Sequence, residues 1–271
     1  MTKTNVFKAL ALASALGLAL TACGSSDDGD KKGSAGSGSD LGLIKSGTLT
    51  VCSDVPYPPF EDFDKSAPSG FKGFDVDVIS AVADDLKVKV AIKDSSFDAL
   101  KSGLAIKAKQ CDLVASAMTI TDERKKVMAL SEPYYDSKQS LLVPAGSSIK
   151  AIGDLDGKKV GVQKGTTGES YARENAKGAK LVVFPSDGEM YTAIKGGTVD
   201  ALLQDLPVNL DHQKDPKQPG KFTIVEQYDT DESYGFAMNQ DDKNLVDAVD
   251  KALQGLRDSG KYQTIYDKYF S

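Results

Sequence analysis

The feature that most restricts this chain is a strand–helix alternation that runs through once and then restarts. Short β-branched or apolar runs read as strands at Thr48–Ser53, 88–92 and 112–117. Between them, helical spacing puts Val78, Ile79, Val82 and Leu86 on one face, and a helix over 97–107 turns Leu100 and Leu104 inward. Another helix begins near Thr121. From Lys159–Gln163 the rhythm repeats: helix 168–176, strand 181–184, helix 188–196 and strand 199–203. A strand at 234–238 and two helices end the chain, the first burying Leu245, Val249, Ala252, Leu253 and Leu256. Such alternation argues for α/β sheets with helices on both faces. The run Gln110–Ser116 has a counterpart in Thr198–Gln204, each with an Asp opening an apolar strand, which suggests two similarly built lobes.

The N-terminus reads as a leader. Lys3 and Lys8 precede an apolar stretch over residues 9–20, about half the ~20 residues a spanning helix needs. It ends in Leu20-Thr21-Ala22-Cys23, which resembles a lipobox whose cleavage leaves Cys23 acylated. Residues 23–40 are mostly Gly, Ser, Asp and Lys and read as a flexible tether, with too little apolar surface to offset the entropy of ordering. Losing residues 1–22 removes two lysines and no acid, so the net charge of -6 becomes -8. Phosphates would repel such a domain, which argues against nucleic acid as a partner. Cys52 and Cys111 are either a disulfide of an oxidising compartment or small buried residues at the ends of neighbouring strands. The single histidine, His212, reads as part of a polar loop without Cys or His companions, so no metal is expected.

Open α/β sheets bind ligands beyond the carboxyl ends of their strands. The first strand runs into Asp54, Tyr57 and Phe60, and the third into Ser116, Ala117, Thr119 and Arg124. The second-lobe strands run into Gly165-Thr166-Thr167-Gly168 and into Gln204-Asp205. With Thr121 as N-cap, Arg124 is the third helical residue, where the helix dipole disfavours a cation by some tenths of a kcal/mol. Its guanidinium either holds a carboxylate bidentately or is a surface group neutralised by Asp122 and Glu123. Asp205 either accepts from an ammonium or caps the next helix. Tyr57 and Phe97 either flank an alkyl chain or belong to the core. The glycines at 161, 165 and 168 lack nucleotide-loop spacing and read as a tight turn into a helix.

Gly-Phe-Lys-Gly-Phe-Asp-Val-Asp-Val at 70–78, Ala-Met-Thr-Ile-Thr-Asp-Glu-Arg at 117–124, Ser-Glu-Pro-Tyr-Tyr at 131–135 and Gly-Thr-Thr at 165–167 resemble bacterial solute-binding protein family 3, from about residue 42 to the end. These are polar amino-acid receptors of ABC transporters. The resemblance implies a type II periplasmic-binding-protein fold, two α/β lobes joined by two hinge strands. Lobe 1 would comprise 41–137 and 232–271, lobe 2 residues 138–231, with crossings near 136–141 and 228–235. It also implies that Arg124 takes an α-carboxylate with the amides or hydroxyls of Thr119 and Thr167, in the turn that Thr166 shares. Asp205, Ser116 and the Ala117 carbonyl would take the ammonium. Ala117 stands where related members often have a serine, which leaves its backbone as the contact. Tyr57 and Phe97 would flank the side chain, and Asp54 would read its polar end.

The function so implied is an extracytoplasmic, lipid-anchored binding protein that closes on a free amino acid and serves an ABC transporter permease as a monomer without cofactor. Asp54, with Glu61, Asp62 and Asp64 close in sequence, favours arginine, lysine or ornithine, then glutamine. The alternative is an exported cyclohexadienyl dehydratase-like enzyme on the same fold, which needs a general acid beside the bound ring.

Overall fold

A computed structural model describes residues 41–271. The leader, Cys23 and the tether through residue 40 lie outside the described residues. In chain order the elements are β1 (Thr48–Ser53), β2 (Asp62–Phe63), β3 (Phe71–Lys72), α1 (Phe74–Asp85), β4 (Lys89–Asp94), α2 (Phe97–Lys101), α3 (Leu104–Lys107), β5 (Leu113–Val114), α4 (Asp122–Lys125) and β6 (Ala129–Leu130). Next come β7 (Tyr135–Pro144), β8 (Lys159–Gln163), α5 (Thr167–Asn175), β9 (Lys180–Phe184), α6 (Asp187–Lys195), β10 (Ala201–Asp205), α7 (Leu206–Gln213) and β11 (Phe222–Tyr234). The chain ends with β12 (Ala237–Met238), α8 (Lys243–Asp258) and α9 (Lys261–Phe270).

These strands build two five-stranded sheets, ordered β4-β1-β5-β12-β6 and β11-β7-β10-β8-β9. The chain leaves the first sheet into β7 and returns to it from β11. Those two long strands pair antiparallel from Tyr135–Tyr234 to Pro144–Phe222. Period-two alternation covers both faces of the second sheet: Leu141, Val143 and Leu203 join one core, Leu142 and Leu202 the other. In the first sheet, Leu49, Val51 and Leu113 pack under Val78, Ile79, Val82 and the Leu245–Val249–Leu253 stripe of α8. Phe97, Leu100, Met118 and Met128 cover the opposite face.

The matching aspartates do matching work. Asp112 accepts from Thr50 N, and Asp200 from Lys159 N, each at 2.7 Å. Each therefore fixes the start of the parallel strand beside it. Cys52 and Cys111 form a disulfide, with Cα atoms 5.7 Å apart.

Several elements differ from the sequence reading. The helix expected over 97–107 breaks at Gly103, whose φ of 72° ends α2, and Leu104 is 62% exposed instead of inward. The strand expected over 112–117 keeps only Leu113 and Val114, because the chain turns at Ala117 with φ 43°. The strand expected over 199–203 starts two residues later and ends on Asp205. His212 is not in a polar loop. It lies in α7, is 4% exposed, sits 2.8 Å from Asp187 Oδ1 and stacks on Tyr191 at 3.9 Å. Its neighbours in sequence are polar, but the helix turns it toward the core.

Candidate functional site

The loops that leave β1, β4, β5, β8 and β10 meet around a narrow cleft between the sheets. Asp54, Tyr57, Phe97, Ser116, Ala117, Thr119 and Arg124 line it from the first half, and Gln163, Thr166, Thr167 and Asp205 from the second. The ten residues that the resemblance assigns to the ligand all line this cleft, and Gln163 joins them.

Arg124 reaches it from a helix of four residues. The Thr121 hydroxyl caps that helix by accepting from Arg124 N at 3.2 Å. The side chain is 6% exposed and lies with its guanidinium carbon 5.3 Å from the Phe97 ring centre. Nη1 donates to Thr119 O at 2.7 Å, and Nη2 reaches across to Gly165 O at 3.4 Å. Among the described residues no carboxylate forms an ion pair with it, Asp122 and Glu123 included. Burial pulls its pKa down, while the field of Asp205 pushes the other way.

Asp205 stands at the N-cap position of α7 but makes no capping bond with its side chain. Instead it points into the cleft, 5% exposed, and accepts from Gln139 Nε2 at 2.5 Å and from the Tyr234 hydroxyl. Burial, then the nearby Glu232, push its pKa up to about 6 against those bonds. Asp54 is 7% exposed, and Gln163 Nε2 donates to its Oδ2 from the opposite half at 2.6 Å. Burial raises its pKa to about 6 even so, with Asp94 adding to the shift.

Several candidate side chains are already engaged. The Ser116 hydroxyl accepts from Asp54 N at 3.0 Å and donates to Glu61 Oε1 at 2.7 Å. Ala117 N donates to Asp75 Oδ2 at 2.9 Å. The Thr166 hydroxyl caps α5, accepting from Glu169 N at 3.1 Å. Gly165 makes the turn into that helix with φ 78°. A Cβ on Gly168 would sit 2.9 Å from Gln139 Oε1 and 3.2 Å from Gln204 Cα, so only glycine lets the start of α5 lie this close to β7 and β10.

Gln139, Gln163 and Glu232 escaped the sequence reading. Gln163 is the last residue of β8, two positions before the Gly165–Gly168 turn. Gln139 and Glu232 sit within β7 and β11, where a rule about strand ends does not look.

The model of the bacterial extracellular solute-binding proteins, family 3, matches residues 49–271. The chain is 33% identical over 257 residues to a probable histidine-binding protein of Neisseria gonorrhoeae, covering 94% of this chain and 91% of that protein. It is 34% identical over 233 residues to the lysine/arginine/ornithine-binding periplasmic protein of Escherichia coli, covering 82% and 87%. Structures of an ancestral arginine-binding protein bound to arginine and to glutamine match with TM-scores of 0.77, at 38% and 37% identity, covering 83% of this chain and 99% of that one. The chain, with the type II periplasmic-binding fold, belongs to the bacterial extracellular solute-binding proteins, family 3.

Proposed function

We propose that the protein binds a free amino acid and presents it to an ABC transporter permease. One observation carries this reading. Among the described residues, Arg124 is buried without an ion-paired acid, and Asp205, across the cleft, without an ion-paired base. Buried charges are ordinarily paired, because desolvating them alone costs several kcal/mol. A zwitterion supplies both missing partners at once: its carboxylate to Arg124, its ammonium to Asp205.

Neither half alone completes that set, so the ligand favours the closed arrangement over an open one. Three or four charge-assisted bonds of roughly 1.5–3 kcal/mol each, less ordering costs, support micromolar or tighter binding. Asp54, which lines the cleft and is held by Gln163, favours a cationic or amide side chain. The lysine/arginine/ornithine-binding relative and the ancestral protein bound to arginine and to glutamine support arginine, lysine or ornithine first and glutamine second, while the histidine-binding relative makes histidine a further member of the panel. We place the mature protein on the outer face of the cytoplasmic membrane as a monomer, held by acylated Cys23.

Calorimetric titration with the common amino acids tests this. Saturable binding of a basic amino acid or glutamine is expected. Binding of none of the twenty overturns the reading, and binding of glutamate without arginine overturns the basic assignment. We read the protein as a carrier and not an enzyme, because the relatives named above are binding proteins and Asp205, paired with the ligand's ammonium, is not free to act as a general acid. Appearance of the aromatic chromophore from prephenate or arogenate would reverse that.

A further inference from the structure

The corner of the cleft beside Arg124 already holds a carboxylate of the chain's own, on β11. Glu232 Oε2 accepts from the Thr167 hydroxyl at 2.8 Å and from the Thr119 hydroxyl at 3.3 Å. Gln139 Nε2 lies 3.2 Å and 3.3 Å from its two oxygens. The backbone aims it there. The pairing of β7 with β11 slips between Tyr228 and Glu232, and Asp231, just before it, takes φ 50°, a left-handed conformation uncommon outside glycine.

A threonine hydroxyl carries one proton. While Thr119 and Thr167 donate to Glu232, neither can donate to another carboxylate. The same two threonines, one from each half, line the cleft with Arg124, whose guanidinium has no acidic partner among the described residues. We propose that Glu232 is a positioning residue that competes with the ligand: its carboxylate holds the Thr119 and Thr167 hydroxyls, and an incoming amino acid's α-carboxylate takes them from it. This rests on the amino-acid reading above.

Two consequences separate it from a merely structural role. The penalty of displacing Glu232 falls only on ligands that carry an α-carboxylate. Removing the negative charge also leaves the guanidinium more attractive to that carboxylate and to no other ligand group. The contact further ties the two halves together before ligand arrives, because Thr119 follows β5 of the first sheet and Thr167 opens α5 over the second.

The test titrates wild type, Glu232→Gln and Glu232→Ala with L-arginine, L-glutamine and their α-carboxamides. The binding amino acid should tighten roughly tenfold in both variants, the equivalent of one charge-assisted hydrogen bond no longer surrendered. Its carboxamide should not tighten, and Glu232→Asp should restore part of the wild-type affinity. Unchanged or weaker amino-acid binding in both variants overturns the proposal while leaving the amino-acid reading intact. Equal tightening of the carboxamide also overturns it. If wild type binds neither of these amino acids, the pair titrated is whichever of the twenty does bind and its α-carboxamide; if none of the twenty binds, the amino-acid reading fails and takes this one with it. Glu232→Gln keeps the shape but loses the charge, so the threonine hydroxyls are given up at the cost of neutral bonds only, and a folding defect in Glu232→Ala leaves the comparison decisive.

Discussion

Asp54 and Gln163 belong to different sheets, yet the Gln163 amide donates to the Asp54 carboxylate at 2.6 Å across the cleft. Both are almost fully buried. Both residues line the cleft, so a ligand side chain that enters it meets a carboxylate held between the two halves.

Asp54→Asn therefore separates ligand classes. A guanidinium or ammonium side chain loses an ionic partner, which costs roughly 1.5–3 kcal/mol, or about 10- to 150-fold in Kd. Glutamine loses less, because an asparagine still accepts from an amide. Titration of the variant with both amino acids checks this, and an equal loss for both rules out Asp54 as the reader of ligand charge.

Arg124 sets stability against binding. Removing one buried, uncompensated charge for an apolar chain of similar length relieves a desolvation cost. Arg124→Met should raise the melting temperature of the unliganded protein and abolish amino-acid binding. Arg124→Lys keeps the charge but loses the planar fork, and should weaken binding at least about tenfold. Thermal melts beside titrations decide it. A lower melting temperature for Arg124→Met would mean that the backbone carbonyls of Thr119 and Gly165 compensate the guanidinium by themselves.

The sequence made one half of this site legible and hid the other for physical reasons. Residues directly after parallel strands announce themselves, because an apolar run that stops at Asp54 or Asp205 leaves few places for the polar group to go. Arg124 is legible because a cation in a first helical turn needs a reason. Gln139 and Glu232 carry no such mark. They lie inside β7 and β11, and they reach the cleft only because those strands cross between the sheets and β11 slips register. Leu104 misleads for a related reason. Helical periodicity runs on through Gly103, but a left-handed residue there ends the helix and redirects the next one. His212 misleads by its polar sequence neighbours, which say nothing about the face α7 turns toward Asp187.

The paired aspartates give a graded test of the repeated architecture. Asp112 accepts from two amides, Ile44 N and Thr50 N, each at 2.7 Å, and is 5% exposed. Asp200 accepts from Lys159 N alone and is exposed. An amide left buried without an acceptor costs about 1–3 kcal/mol, whereas water replaces a partner at an exposed one. Asp112→Ala should destabilise by roughly 2–4 kcal/mol and Asp200→Ala by under about 1 kcal/mol, read by denaturant unfolding.

The Cys52–Cys111 bond closes a loop of 59 residues' separation. Constraining an unfolded chain over such a span contributes about 2–4 kcal/mol. The Cys52→Ala, Cys111→Ala double variant should unfold at correspondingly lower denaturant and still bind ligand, since neither residue lines the cleft.

Proton linkage ties the carboxylates to both stability and binding. Asp54 and Asp205 are pushed up to about 6 and Asp75 to about 7, in each case mainly by burial. An unfolded aspartate titrates near 3.9, so between roughly pH 4 and 7 the folded protein binds more protons than the unfolded chain. Unfolding free energy then falls as pH rises through that window. These groups contribute most below about pH 4 and lose that contribution by about pH 7. The unliganded protein should accordingly melt higher near pH 5 than near pH 7.5. A basic amino acid reverses the preference at Asp54 and Asp205, because its cationic groups require both carboxylates ionised. Binding should weaken as pH falls below about 6, and at pH 5.5 it should release protons, seen as titration heats that depend on the buffer's ionisation enthalpy. Heats independent of buffer at that pH would mean that neither carboxylate changes its protonation when the ligand arrives.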